Sequence, residues 1–151
     1  MTPTASNVAK FILMRFQANR SSLINLKLQK LLYYSQAWHL AFTGEALFHD
    51  RIEAWIHGPV VPTVFGEYKQ FGWSPISIAD GGTLHADGEL VAHVDNVLRA
   101  YGSMNAWQLE RLSHSESPWR EARGGLPPDA PSKNVITEES MRAFYSRMVN
   151  G

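Results

Sequence analysis

Leu26 to Gly72 decides the fold, and it falls into three blocks: LKLQKLLYYSQAWHLAFTG (26–44), EALFHDRIEAW (45–55) and IHGPVVPTVFGEYKQFG (56–72). In the first block Leu28, Leu31, Leu32, Ser35, Trp38 and Phe42 recur at helical spacing behind Asn25, an N-cap candidate. Gly44 suits the left-handed residue that closes such a helix. Tyr33, Tyr34, Ala37 and Ala41 widen the apolar surface almost around the cylinder, so this helix is either central to the fold or carries a binding face.

In the second block Leu47-Phe48-His49 leads into Ile52-Glu53-Ala54-Trp55-Ile56, whose alternation of apolar and polar residues predicts a short strand or hairpin. His57-Gly58-Pro59 reads as a turn, because proline fixes its own backbone and restricts the residue before it. A third helix follows with Val61, Val64, Phe65 and Tyr68, with Pro62 in its first turn and Gly72 at its end.

Outward from this stretch the signals are mostly helical. Val8, Phe11, Ile12 and Phe16 follow Ser6, a plausible cap, and Arg20-Ser21-Ser22 breaks that first helix. Trp73 to Gly88 reads as a surface loop with room for a short strand at Ile76 to Ile78. Asp87 caps a helix carrying Leu90, Val91, Val94, Val97, Leu98 and Tyr101, which Gly102 ends. Ser103 is the cap expected for the next, with Ala106, Leu109 and Leu112 on its inner face. A further turn begins at Ser117-Pro118-Trp119, and beyond the Gly124-Gly125-Leu126-Pro127-Pro128 break, Thr137 caps a last helix with Met141, Phe144, Tyr145 and Met148. The expected architecture is mainly α: a compact single-domain bundle of about six helices over residues 1–151, with a short β-hairpin or extended segment near residues 47–57.

Composition narrows the function. With 151 residues, 44% hydrophobic and 19% charged, the chain is long and apolar enough to fold without disulfides or a structural metal. Cysteine is absent, which removes disulfides, thiolate zinc and a cysteine nucleophile together and fits a reducing compartment. MTPTASNVAKFILMRFQ lacks a basic cluster followed by a long apolar core, and no apolar run could span a bilayer, so the cytoplasm is the expected address. All 14 acids lie from Glu45 onward, whereas Lys10, Arg15, Arg20, Lys27 and Lys30 precede it. Those bases either form a face that steers an acidic partner or pair with acids of the rest of the fold. They are too sparse to argue for nucleic acid.

Signatures of chemistry are missing. The chain holds no G-x-x-x-x-G-K-[ST], no G-x-G-x-x-G, no G-x-S-x-G and no H-E-x-x-H. His39, His49, His57, His85, His93 and His114 are dispersed, with no two one helical turn apart, and a histidine- or metal-dependent enzyme would need three of them to meet in one cleft. Asp50 with Glu53, and Glu110 with Glu116, lack a pattern that singles out an acid and a base, and Ser115 beside His114 is no triad. No catalytic residue, cofactor or metal is expected. Five tryptophans, Trp38, Trp55, Trp73, Trp107 and Trp119, suit either core packing or the hot spots of an interaction surface.

Leu28-Gln29-Lys30-Leu31-Leu32-Tyr33-Tyr34, then Trp38-His39-Leu40, Glu53-Ala54-Trp55, Gly58-Pro59-Val60 and Tyr68-Lys69, resemble the Panacea domain of SocA-type antitoxins in their order. Leu112-Ser113-His114 with Ser117-Pro118-Trp119 is similar to that family's second block, so the likeness runs through nearly the whole chain. The resemblance implies a mainly α-helical antitoxin, encoded beside a toxin, that silences this partner by protein contact. In one branch of the family it implies instead an adaptor that delivers the toxin to a bacterial ATP-dependent protease. Many members carry an added DNA-binding domain, for which this chain has no room. The surface of the second helix and the Trp55-to-Tyr68 segment is the expected contact region, with Lys30, Tyr33, Tyr34, Trp55 and His57 as candidate contact residues. Leu28, Leu31, Trp38, Gly58, Pro59, Pro118 and Trp119 are read as the frame of the fold.

Overall fold

The computed structural model describes residues 2–78 and 87–150. Helix α2 (Asn25–Thr43) is the axis around which the rest is arranged: α1 (Ala5–Ala18), α4 (Gly88–Tyr101), α5 (Ala106–Ser115) and α7 (Glu138–Asn150) all pack against it, α7 most extensively. Its wide apolar surface is explained by that central place. Leu28, Leu31, Leu32, Tyr33, Tyr34, Ala37 and Leu40 are all buried, and Gly44 ends the helix at φ +77°. The helix start differs from expectation, because Asn25 is already helical and the N-cap residue Ile24 provides no side-chain bond. The Asn25 side chain works inside instead, donating to Phe65 O and accepting from Gln29 Nε2.

Two other caps also move. Thr4, rather than Ser6, caps α1 through a reciprocal pair of bonds with Asn7, and Asn105, rather than Ser103, caps α5 in the same way with Gln108. Asp87 and Thr137 do take up the first amides of α4 and α7. Helix α3 (Pro62–Tyr68) opens on proline and runs through a 3-10 turn (Lys69–Phe71) to Gly72, and α6 (Ser117–Arg123) extends the turn expected at Ser117 to a seventh helix among the described residues.

The hairpin consists of β1 (Ile52–Trp55) and β2 (Gly58–Val60), antiparallel with Trp55 opposite Gly58 and Ala54 opposite Pro59. The turn is therefore Ile56-His57, and Gly58-Pro59 belongs to the strand. Pro59 is tolerated there because β2 is a sheet edge, where no ladder partner needs its missing N–H. A third strand, β3 (Val135–Ile136), pairs with the other side of β1 and gives the order β2-β1-β3. Ile76 donates its N–H to Leu23 O, but residues 76–78 form no strand, and the remainder of the expected loop to residue 86 lies outside the described residues. The buried apolar residues form one core running from Ala5 to Tyr145. None of the described helices is long and apolar enough to cross a membrane.

The basic N-terminal third is largely absorbed by this packing. Arg15 forms a two-pronged pair with Asp95 at 3.0 Å, and Lys27 donates to Gly102 O at 2.6 Å.

Candidate functional site

Five candidate contact residues divide into two groups. Lys30, Tyr33 and Tyr34 lie inside the core, whereas Trp55 is half-buried and the His57 side chain is 60% exposed. Lys30 is fully buried, and its Nζ donates to Pro59 O at 2.9 Å. Burial lowers its pKa to about 7, while the Glu110 carboxylate pulls it upward.

Tyr33 and Tyr34 meet a carboxylate that the sequence did not mark as special. Tyr34 donates to Glu116 Oε1 at 2.6 Å, Tyr145 donates to the same oxygen at 2.9 Å, and Tyr33 lies 3.0 Å from the Tyr145 hydroxyl. Tyr145 gives its hydrogen to Glu116, so Tyr33 is the donor in the last of these. Tyr101 stacks on Tyr34 with ring centroids 4.1 Å apart and accepts from Trp38 Nε1 at 2.8 Å. Burial raises the pKa of Glu116, against the pull of the two hydroxyls, and burial first, with Glu116 second, raises that of Tyr34. The cluster joins α2, α4, α7 and the start of α6. Buried polar groups that find all their partners in this way fix one arrangement of the elements.

Around the hairpin the framing residues interlock. Trp119, buried behind Pro118, donates its indole N–H to Trp55 O at 2.8 Å, and the Arg123 guanidinium lies 4.6 Å from the Trp119 ring centroid. Arg123 also donates to the carbonyls of Ala54, Pro127, Pro128 and Ala130. His114 stacks on the other partner of this group, Trp119, at 3.9 Å, and its Nε2 is buried without a hydrogen-bond partner among the described residues. Gly58, at φ +105°, is required by space as well as by backbone: a Cβ there would stand 2.6 Å from Lys30 Cε and 3.0 Å from Ser113 Oγ.

The outer surface is different. Trp55 Nε1 donates to Glu53 Oε1 at 2.8 Å and its ring meets Phe65 edge-on at 5.1 Å. His57 Nδ1 lies 3.0 Å from Glu110 Oε1 on α5. One helical turn before Glu110 stands Trp107, 55% exposed and stacked at 5.8 Å on Trp73, itself 65% exposed. His57 on the hairpin thus meets Glu110 on α5, and Trp107, one turn earlier on α5, meets Trp73, which follows the 3-10 turn. Sequence reasoning left Trp73 and Trp107 unassigned, yet a signal existed: Trp107 falls off the Ala106-Leu109-Leu112 stripe, on the polar side of its helix. Among the described residues no three His, Asp or Glu side chains converge as a metal ion would require.

On this mainly helical frame, the family "Antitoxin SocA-like, Panacea domain" matches residues 28–120, from the first turn of α2 to the residue after Trp119. The chain belongs to this SocA-like antitoxin family. It is 33% identical over 129 residues to Antitoxin SocA of Caulobacter vibrioides (strain NA1000 / CB15N), a match covering 76% of this chain and 68% of that protein. No solved structure matches it.

Proposed function

We propose that this chain neutralises a cognate toxin, encoded beside it, by direct protein–protein binding, and that the hairpin–α5 surface is where the toxin docks. The observation that carries this reading is the exposed stack of Trp73 on Trp107, one helical turn from the Glu110 that His57 meets, in a member of an antitoxin family. Aromatic side chains bury much area at small entropic cost and dominate the hot spots of interfaces. A stable complex needs about 800 Å² from each partner, and a surface with aromatic anchors and polar neighbours suits that need. Of the candidate contact residues, Trp55 and His57 remain direct contacts in this proposal, joined by Trp73 and Trp107. Lys30, Tyr33 and Tyr34 act from beneath.

Co-expression tests this. The product of the adjacent gene should arrest growth alone, copurify with this chain, and be silenced by it in a strain lacking the ATP-dependent proteases. Rescue that disappears in that strain, with toxin persisting there, would replace direct neutralisation with delivery to a protease. A neighbour that is harmless and does not copurify would sink both.

A further inference from the structure

Strand β2 is an edge of the sheet and packs on α2. At Pro59 it offers a carbonyl and no N–H. Ala54, opposite Pro59, gives its own N–H to Asn134 O and receives Arg123 on its carbonyl, so this pair exchanges no bonds and the Pro59 carbonyl faces away from β1. What meets that carbonyl is the Lys30 amine, from inside the core. Two residues along, the Val61 N–H is received by Gln29 Oε1 at 2.9 Å. Gln29, in turn, is braced by its own bond to Asn25. Consecutive side chains of α2 therefore take the place of the strand that the sheet lacks on this side.

An amine is a costly group for that task, since methionine fills a similar length of core without losing hydration. Space around it is also committed: the Lys30 stem fills the place a Gly58 side chain would need. The turn that carries His57 continues directly from this strand, and Trp55 is the residue paired with Gly58.

We propose that Lys30 is a positioning residue for partner binding: its amine, with Gln29 beside it, clamps the outer edge of β2 and so holds Trp55 and His57 in the arrangement that a toxin meets. The proposal rests on the toxin-binding reading above. It separates Lys30 from the leucines around it, whose loss would loosen the whole core.

The test uses the full chain carrying Lys30→Met or Lys30→Gln, the second retaining an N–H donor. Amide hydrogen exchange is followed in the toxin-free protein over residues 53–61 and over α7, and affinity for the adjacent gene's toxin is measured by calorimetry. Lys30→Met is expected to speed hairpin exchange about tenfold or more while α7 is unchanged, and to weaken toxin binding about tenfold or more. Lys30→Gln should recover most of both losses. Hairpin exchange equal to the wild type in Lys30→Met, or an unchanged toxin affinity, overturns the proposal. Global unfolding of both variants overturns it too, because Lys30 would then hold the core rather than the hairpin. If the wild type binds no toxin, the functional reading falls, and the exchange comparison alone decides whether Lys30 holds the strand.

Discussion

Tyr33 and Trp107 are both large amphipathic side chains on well-formed helices, yet Tyr33 is sealed in the core and Trp107 stands in solvent against another tryptophan. The inner face of α2 and the outer face of the hairpin and α5 differ less in residue type than in what their polar atoms have found. Inside, Lys30 bonds the Pro59 carbonyl, and Tyr33, Tyr34, Tyr145 and Glu116 are bonded to one another. Outside, Trp73 and Trp107 stack on each other, both exposed, with no hydrogen bond from either indole among the described residues. A polar or aromatic residue in a helix is thus no indicator of an interface until its partners are known.

The contrast makes a simple demand: apart from Lys30, which reaches the hairpin from within, changes inside should move stability, and changes outside should move binding. The largest effect is expected at Gly58→Val, where a strained backbone and a collision with the Lys30 stem act together. A loss of about 4 kcal/mol follows, seen as a large drop in melting temperature or failure to fold. Glu116→Ala should cost about 3 kcal/mol in chemical denaturation by leaving the Tyr34 and Tyr145 hydroxyls without their acceptor. Glu116→Gln, which keeps an acceptor oxygen, should cost about 1 kcal/mol or less. A Glu116→Ala variant as stable as the wild type would break the inner half of the comparison.

Next is a pH effect. The folded-state pKa of Lys30 is depressed to about 7 from an ordinary 10.5, so between these values the unfolded chain binds more protons and stability must rise with pH. From pH 7 to 9 the gain should be about 2 kcal/mol, and it should be lost as pH falls back through 7. Lys30→Met should show no such rise. The facing groups do not mimic it: the pKa of His114 is lowered from 6.5, chiefly by burial, so its own window lies below 7. Above pH 10 the trend should reverse, because burial raises the pKa values of Tyr33, Tyr34 and Tyr145 and only the unfolded chain ionises there.

Outside, Trp107→Ala should weaken toxin binding by about 2 kcal/mol, roughly thirtyfold, with stability unchanged within about 0.5 kcal/mol. His57→Ala is the smallest change expected. Its exposed bond to Glu110 contributes about 0–0.5 kcal/mol to stability, and the effect on binding should be a few-fold. Titration of both variants against the toxin checks the order; equal losses at Trp107 and at a buried tyrosine would erase the distinction between the faces.

Local signals carried most of the fold. Gly44 ending α2, Pro62 opening α3, Asp87 and Gly102 bounding α4 and Thr137 opening α7 all follow from backbone chemistry within a few residues. Where two polar residues competed for a cap, the local rule could not choose: Thr4 and Asn105 prevail because Asn7 and Gln108 return the bond three residues on. β3 escaped because a two-residue strand has no periodicity to read, and its partner β1 is some eighty residues away. Gly58 and Pro59 read as a turn from sequence, but they open β2 and the turn sits one step earlier, because Gly58 pairs with Trp55. The depth of Tyr33 and Tyr34 was not legible, since it depends on Glu116 and Tyr145 arriving from the far end of the chain, and that of Lys30 depends on Pro59 O, twenty-nine residues on.

Arg123 has a consequence for how this molecule survives in a cell. A Gly-Gly-Leu-Pro-Pro passage between α6 and β3 is a natural place for a protease to enter. Here one guanidinium gathers the carbonyls of Pro127, Pro128 and Ala130 and ties them to β1 through Ala54. Any enzyme that needs an extended substrate must first pull those carbonyls off a buried cation, so loss of the Arg123 guanidinium should speed cleavage of this passage.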